Sequence, residues 1–347
     1  MGPHPHFNDL RNSLEELEVS EQSANVLEQL APWGQACSMF FNADFESLQV
    51  AAAFFWWQHV WFHTGKCLIA EGNRFETFHH DSRLYFRTIL SSGSRQQISH
   101  MREQQALSMF DTVADAIWST STEVQRLQFL SCMDEYCALV YREQMIVKNG
   151  RVPNSNEYHR LRVDNGHVKI LIEVLRIVMA LPINPAVSTS AEWEVILNSL
   201  GMAMSYMRDL YFLKRDLDAN VWTCNAVMIK YRETGEGMDE SVKRVVEDIS
   251  QSMATINRAG LQLHARLVHN AAMAAHLSRV LDSLRMMLSG YWLWCTIAPL
   301  NAIQEKYRLD NGDVEIPLAM DEEDEDSEEE DSQDGDQQDG DWQEDDQ

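Results

Sequence analysis

The chain has 347 residues, of which 45% are hydrophobic, and a formal net charge of −26. This length and apolar content are sufficient for a large buried core. So acidic a chain repels the phosphate backbone of nucleic acids, which argues against a nucleic-acid-binding function.

The N-terminal sequence MGPHPHFNDLRNSLEELE lacks the basic region and apolar run of a secretory signal peptide. The most apolar stretch, VAAAFFWWQHVWF at 50–62, is too short to span a bilayer and contains Gln58 and His59. No CxxC pair occurs among the six cysteines, which favours buried free thiols in a reducing compartment (Cys37, Cys67, Cys132, Cys137, Cys224 and Cys295). We therefore expect a cytoplasmic protein without a membrane span.

Several segments at 50–62 and beyond are rich in large aromatic residues. They are Phe54, Phe55, Trp56, Trp57, Trp61 and Phe62, then Trp193, Tyr206, Tyr211 and Phe212, and finally Tyr291, Trp292 and Trp294. Large rings at helical spacing usually belong to a core. The alternative is a cavity walled by rings, each of which stabilises a cationic ligand by roughly 0.5 to 2 kcal/mol. Aromatic content alone does not separate these interpretations.

Helical periodicity dominates the rest of the chain. Apolar residues recur every three or four positions in LQFLSCMDEYCALVYREQM, HVKILIEVLRIVMAL, WEVILNSLGMAMSYMRDLYFL and HLSRVLDSLRMMLSGYWLWCTI. Turn-forming residues interrupt the pattern at 91–94, 149–156, 181–190 and 233–239, and a Ser or Thr ahead of AEWEVIL predicts a helix N-cap. About ten helices without a long linker or internal repeat predict one all-α domain over residues 1–320.

The stretch YMRDLYFLKRDLDAN at 206–220 is unusually charged. Asp209 and Asp216 are separated by about two helical turns, so both carboxylates are predicted to point the same way. Arg208, Lys214 and Arg215 lie beside them in the sequence. Such a pattern is found both in solvated, ion-paired helix faces and in sites that bind metal and phosphate.

Residues 321–347 contain 17 Asp or Glu and no Lys or Arg, so the remaining chain carries −26 + 17 = −9. A run of like charge with Ser, Gln and Gly does not collapse, and it predicts a disordered acidic tail. The simplest role for this tail is a solubilising appendage, and docking on a basic surface is the alternative.

The order of motifs from FLSCMDEYCALVYREQMIVKNGRVPNSNEYHRLRVDNGHVKI onward resembles the fungal class I terpene cyclases of the trichodiene synthase type. In that family, an acid–Gln pair is followed by a Gly/Pro loop, Tyr, Leu–Arg, Asn–Gly and His. The matching positions here are Glu143, Gln144, Pro153, Tyr158, Leu161, Arg162, Asn165, Gly166 and His167. The family's arginine senses diphosphate, so the resemblance implies this role for Arg162.

The family's metal motifs are only partly present. At the first, FETFHHDSRLYF retains Asp81, with His80 and Leu84 at the other acidic positions. At the second, RDLYFLKRD has Arg208, Phe212 and Asp216 at the Asn, Ser and Glu positions, whereas Asp209 and Arg215 match. Near the C-terminus, the family's Arg–Tyr and Arg–Leu pairs correspond to Lys306–Tyr307 and Arg308–Leu309.

The resemblance covers roughly residues 55–310 and is closest to humulene-forming cyclases of tropolone sesquiterpenoid pathways, which also lack the consensus motifs. It implies a class I terpenoid synthase-type helical barrel and a lyase that uses Mg²⁺ to ionise farnesyl diphosphate and cyclise the cation. The implied metal ligands are Asp81, Asp209 and Asp216; the implied substrate-binding residues are Arg162, Arg215, Lys306, Tyr307, Arg308, Phe55 and Trp292; and Arg162, Lys306 and Tyr307 are implied to be catalytic.

The chemistry requires these residue types. Ionising a prenyl diphosphate separates an anion from an allylic cation, and magnesium with Arg or Lys neutralises the leaving group. Magnesium is often held by one or two carboxylates while phosphate and water complete its shell. The alternative function is a catalytically inactive relative that keeps the barrel as a binding or scaffold module. The oligomeric state stays open, with a homodimer among the alternatives.

Overall fold

The computed structural model describes residues 34–36, 39–40, 42–101, 104–163, 166–218 and 222–297. Within these ranges the chain forms thirteen α-helices and no β-strand. The helices are α1 (Phe45–Leu68), α2 (Asn73–Ser92), α3 (Gln105–Ser108), α4 (Phe110–Thr120), α5 (Glu123–Lys148), α6 (Ser155–Val163), α7 (Gly166–Val178), α8 (Pro185–Ser188), α9 (Ala191–Tyr211), α10 (Leu213–Asp218), α11 (Ala226–Thr234), α12 (Met238–Leu267) and α13 (Ala271–Ile297).

The predicted all-α class is confirmed. The helix number exceeds the expected ten because of three short helices, α3, α8 and α10. The predicted breaks are also confirmed. Helix α2 ends within residues 91–94, and the junction of α5 and α6 lies within 149–156. Residues 181–190 separate α7 from α9, and the junction of α11 and α12 lies within 233–239. Ser190 is the N-cap of α9, and its hydroxyl accepts a hydrogen bond from the Trp193 N–H at 3.2 Å.

Helix α9 is the central packing element of the described chain. It packs mainly against α12 and also contacts α6, α7 and α13. Gly201 permits its close approach to α6 and α7, because a Cβ atom there would lie 3.2 Å from Val168 Cγ2 and 3.4 Å from the Arg162 carbonyl oxygen. This packing fixes where α9 ends relative to the arginine on α6.

A column of stacked rings forms the core between α1, α2, α4 and α5. We call Trp57, Trp61, Phe86, Phe110 and Tyr136 the aromatic column, and all five are buried. Ring centroids of Trp57 lie 4.9 Å from Phe110 and 5.1 Å from Phe86, and those of Trp61 and Tyr136 are 5.7 Å apart. These are edge-to-face and tilted distances at which aromatic pairs attract each other.

The other rings of the first aromatic segment divide between core and margin. Phe54 and Phe55 are buried beside the aromatic column, whereas Trp56 and Phe62 are only partly buried. The helix therefore turns most of its rings inward, as the core interpretation requires.

The cysteines of the described chain are all free. Cys137, Cys224 and Cys295 are buried, as predicted, and Cys132 is partly buried. The prediction is wrong for Cys67, which is exposed because it lies in the last turn of α1, beyond the buried Gly65. Cys37 lies outside the described residues.

Two further predictions concern the ends of the chain and membranes. No helix in the described ranges is sufficiently long and apolar to cross a bilayer. The predicted domain boundary at 320 and the predicted disordered tail at 321–347 both lie outside the described residues.

The aromatic column should dominate the stability of this core. We expect Trp57→Ala to lower the free energy of unfolding by about 3–5 kcal/mol, because it leaves a large cavity among close-packed rings. The neighbouring Trp56→Ala is the control, since Trp56 is only partly buried. Urea unfolding measures both, and an equal loss in the two variants would contradict the assignment of the column as the core.

Candidate functional site

Five charged side chains come together where α5, α6, α9 and α10 meet. We call Glu143, Arg162, Arg208, Asp209 and Asp216 the charge cluster. Burying charges in this way is costly unless they are paired and hydrogen-bonded. The contacts within the cluster therefore decide whether it is stable and what it can bind.

Arg162, on α6, is buried and forms a fork with Glu143 on α5. Its Nη1 donates to Glu143 Oε2 at 2.9 Å and its Nη2 to Oε1 at 3.3 Å. Nη2 also donates to the Cys224 carbonyl at 3.3 Å and lies 3.8 Å from Asp209 Oδ1. The guanidinium carbon is 5.4 Å from the ring centroid of Tyr158. One donor, Nε, is buried without a hydrogen-bond partner in the described chain.

Asp209, near the end of α9, is completely buried, with 0% of its surface exposed. Arg208 Nη1 donates to its Oδ1 at 2.8 Å. The Tyr158 hydroxyl and the Ala226 N–H donate to Oδ2 at 2.7 and 2.9 Å. The carboxylate thus ties α9 to α6 and to the first residue of α11.

Asp216 lies on α10, after the chain breaks its helix at Phe212. It is only 3% exposed and accepts a hydrogen bond from Asn225 Nδ2 at 3.2 Å. The Arg208 guanidinium is 3.7 Å from Asp216 Oδ2 as well as 2.8 Å from Asp209 Oδ1. Asp209 and Asp216 therefore approach the same guanidinium, but not along the one continuous helix that the prediction assumed. The alternative of a solvated face does not hold for them.

The charge cluster shifts the pKa of its members. Burial raises the pKa of Asp209 above its ordinary value, although Arg162 and Arg208 oppose this. Burial also acts to raise the pKa of Glu143, but the positive charges of Arg162 and Arg208 outweigh it and hold that pKa below its ordinary value. For Arg162, burial acts to lower the pKa, and Glu143 with Asp209 holds it well above the ordinary value. Glu143 and Arg162 therefore stay ionised as a pair.

His167 links the charge cluster to the aromatic column. Its ring centroid lies 4.6 Å from that of Tyr136 in an edge-to-face arrangement. Burial lowers its pKa from 6.5 to about 4, a change that Glu143 opposes and that Arg162 and Arg208 reinforce. The imidazole is therefore neutral at neutral pH, and its buried Nε2 has no hydrogen-bond partner in the described chain.

The remaining predicted site residues lie in different surroundings. Asp81, on α2, has a side chain that is 22% exposed and contacts His80 at 3.3 Å. Arg215 lies over the Phe212 ring, 4.1 Å from its centroid. Phe55 stacks on Phe40 in the core, with centroids 6.1 Å apart. Lys306, Tyr307 and Arg308 lie outside the described residues. All of these assigned roles stay predictions.

Trp292 lines a cavity of about 600 Å³ between α9, α12 and α13. Trp292 is 49% exposed, and its Nε1 donates to the Tyr211 hydroxyl at 2.9 Å. Met207 and Tyr211 also line this cavity, and on a helix they lie about 160° around the axis from Asp209. The cavity and the charge cluster therefore occupy opposite faces of α9.

The charge cluster contains residues that the motif comparison did not assign to the site. Glu143 and Tyr158 were matched as motif positions without a role, and Arg208 was treated as a lost metal position. Asn225 had one local signal, because Asn before an apolar helical segment is typical of an N-cap. Its Oδ1 accepts from the Val227 N–H at 3.0 Å while its Nδ2 donates to Asp216.

The described residues offer few ligands for a metal ion. They contain no group of three or more His, Cys, Asp and Glu side chains close enough to hold one. The oxygens of Asp209 already accept hydrogen bonds, and Arg208 contacts both Asp209 and Asp216. This pair, as arranged, does not fit a metal ion. Asp81 is a single hard oxygen ligand, of the kind that magnesium uses together with phosphate and water.

Comparison with known proteins gives a partial family match and a fold. Residues 88–255 match the model of terpene synthase family 2, C-terminal metal binding. No curated protein gives a significant sequence match.

Two solved structures illustrate the fold. The chain is similar to germacradien-4-ol synthase from Streptomyces citricolor, with 15% identity, a TM-score of 0.70, and coverage of 85% of this chain and 95% of that one. It is also similar to linalool/nerolidol synthase from Streptomyces clavuligerus in complex with 2-fluorogeranyl diphosphate, with 14% identity, a TM-score of 0.70, and coverage of 85% and 100%. The fold is therefore the class I terpene synthase helical fold. Together with the family match, it indicates a terpene cyclase enzyme, and the family description implies use of a divalent metal.

His167 should make stability depend on pH. Because its folded pKa of about 4 lies below the ordinary 6.5, its neutral form is favoured by folding. Its contribution is fully present above pH 6.5 and is lost as the pH falls towards 4. We expect His167→Gln to reduce the loss of unfolding free energy between about pH 7 and about pH 4.5 by about 1–3 kcal/mol.

Chemical denaturation at each pH measures this contribution. The control is His159→Gln on α6. Because His159 is exposed, this substitution should leave the dependence of the unfolding free energy on pH as it is in the native sequence. An identical profile for His167→Gln and the native sequence would contradict a neutral His167 with a buried Nε2.

Proposed function

We propose that this enzyme is a Mg²⁺-dependent sesquiterpene cyclase that ionises farnesyl diphosphate and cyclises the farnesyl cation to a hydrocarbon of the humulene type. The observation that carries the proposal is the buried Arg162, whose Nε–H has no hydrogen-bond partner in the described chain. The motif order that resembles fungal trichodiene synthase-type cyclases supports the substrate and the product class.

The charge cluster supplies the diphosphate end of the proposed site. Glu143 holds two nitrogens of Arg162 in a fork, so the direction of the remaining Nε–H is fixed before substrate arrives. A charge-assisted hydrogen bond from a preorganised guanidinium stabilises the departing diphosphate more than one from a mobile side chain. Arg215, Lys306, Tyr307 and Arg308 are proposed to bind the other oxygens.

We place the hydrocarbon end of the proposed site against the aromatic column, whose five rings are themselves buried as core. Tyr136 contacts both His167 and Trp61, so the column reaches the residue that interacts electrostatically with Glu143 and Arg162. Aromatic faces stabilise a carbocation electrostatically, and a buried site keeps water from quenching it. Phe55 adjoins the column through Phe54, whose centroid lies 5.8 Å from that of Phe55 and 5.6 Å from that of Trp57.

Magnesium is proposed to bind through Asp81 and the diphosphate oxygens of the substrate. When bound, the ion neutralises the negative charge that develops on the leaving group. A site with few protein carboxylates depends on the phosphate oxygens, as is usual for magnesium. Asp209 and Asp216 as metal ligands stay a prediction from the motif comparison.

Product analysis tests the proposed reaction. Purified protein incubated with farnesyl diphosphate and Mg²⁺ should release a cyclic hydrocarbon that gas chromatography detects, and a chelator should abolish it. Geranyl and geranylgeranyl diphosphate in parallel reactions test the chain length of the substrate. Absence of any hydrocarbon from all three would overturn the proposed function and leave a non-catalytic binding module.

Arg162→Lys tests the diphosphate-binding arginine. Lysine keeps the positive charge but not the fork or the Nε–H, so kcat/KM with farnesyl diphosphate should fall by about 100-fold or more. Arg160→Lys is the matched control, because Arg160 lies on the same helix and is exposed. Equal kinetics for the two variants would remove Arg162 from the site, provided that circular dichroism shows both to be folded.

A further inference from the structure

Arg208 lies between two buried carboxylates in the position that a cation would take. Its Nη1 is 2.8 Å from Asp209 Oδ1 and 3.7 Å from Asp216 Oδ2. Asp209 is on α9 and Asp216 is on α10, so one guanidinium bridges two helices. A divalent ion held by the same two carboxylates would have the same bridging function.

The oxygens of Asp209 are committed to donors of the protein itself. Asp209 accepts from Arg208, Tyr158 and the Ala226 N–H, and Arg162 lies 3.8 Å from its Oδ1. A metal ion would have to displace several of these donors and leave them buried without partners, which is unfavourable.

Arg208 and Asp216 belong to the second metal motif, and the Ser position of that motif is occupied here by Phe212, which offers no oxygen ligand. Phe212 is 5% exposed, and its ring centroid lies 5.4 Å from the Arg208 guanidinium carbon, 4.1 Å from that of Arg215 and 6.0 Å from the Trp294 centroid. An apolar ring packed between two guanidinium groups excludes the water that magnesium keeps in its shell. Arg208 and Phe212 therefore both oppose a metal ion at this place.

Charge counting gives the same result. With every member ionised, the charge cluster has three negative and two positive groups. Without Arg208, Asp209 would keep Arg162 as a charged neighbour together with the neutral donors Tyr158 and Ala226 N–H. Asp216 would keep the neutral amide of Asn225, and two close carboxylates repel each other. A cation is needed here, and the chain supplies it.

We infer that Arg208 replaces a metal ion: it is a permanently bound cation that bridges Asp209 and Asp216, so this half of the site takes no divalent ion. Its side chain is 32% exposed, so the guanidinium is reachable by an anionic ligand. That Arg208 also faces the substrate diphosphate rests on the proposed function. The motif-based prediction, in which Asp209 and Asp216 bind magnesium, is the opposing hypothesis.

Calorimetric titration of Mg²⁺ in the presence of inorganic diphosphate separates the two hypotheses. If Arg208 is the resident cation, Asp216→Asn should leave magnesium affinity and stoichiometry within about twofold of the native sequence. If Asp216 binds magnesium, the same change should weaken binding by about tenfold or remove one ion per chain, and that result would overturn the inference.

A gain of binding provides the second arm. Arg208→Asn with Phe212→Ser removes the guanidinium and adds two oxygen ligands, so it should create a magnesium site with affinity at least about tenfold higher than in the native sequence. Adding Asp216→Asn to this variant should abolish the gain. Arg208→Lys keeps a cation at this position, so its magnesium affinity should equal that of the native sequence. Arg87→Asn is the control for the loss of a surface arginine, since Arg87 pairs with Asp134.

Thermal unfolding covers the case in which the double variant is unstable. Mg²⁺ should raise its unfolding temperature more than that of the native sequence, because a ligand that binds only the folded state stabilises it. A folded double variant without magnesium gain would overturn the inference, as would equal magnesium stabilisation of all variants. None of these measurements uses turnover, so failure of the cyclase assay alone would reject the proposed function and not the role of Arg208.

Discussion

Compensation of buried charge is the constraint on which the site depends. Asp209 is fully buried, and an unpaired carboxylate in that position would cost several kcal/mol. Its partners come from α6, from α9 itself and from the start of α11. These helices cannot shift independently without leaving a buried charge or donor unpaired, so the charge cluster fixes their relative positions.

The constraint explains why Arg162 is suited to recognise an anion although it is buried. Glu143 and the Cys224 carbonyl accept hydrogen bonds from its two terminal nitrogens, and these contacts hold the Nε–H in a defined direction. Preorganised donors stabilise a developing charge without reorganisation during the reaction. The same Glu143 interaction keeps the pair ionised, because the neighbouring arginines hold the pKa of Glu143 below its ordinary value.

Sequence patterns predicted the helices and their breaks well, because periodicity and turn formers act locally. The spacing of Asp209 and Asp216 predicted a common direction on one helix, but the helix ends before Phe212, and the two carboxylates converge because both approach Arg208. Sequence patterns did not predict burial, because charged helical residues are more often solvated. Nor did they predict the partners of Asp209, since Tyr158 is 51 positions away in the sequence and only tertiary packing brings it near.

The role of Arg208 as a cation could not be predicted from the sequence for a related reason. A motif comparison records a lost ligand, and only distances reveal that the replacing side chain occupies the space of the ion.

A guanidinium fixed to a helix differs from a metal ion in one consequential way. A magnesium ion that depends on phosphate oxygens arrives with its ligand, so the carboxylates that hold it repel each other until then. Arg208 is always charged and always present, so it offsets part of the negative charge of Asp209 and Asp216 in the free protein. The arrangement of α9, α10 and α11 is therefore already set before a diphosphate binds. Ligand binding then does not have to supply the free energy for assembling this half of the site, whereas the proposed metal-binding side at Asp81 would depend on the metal and its phosphate ligands.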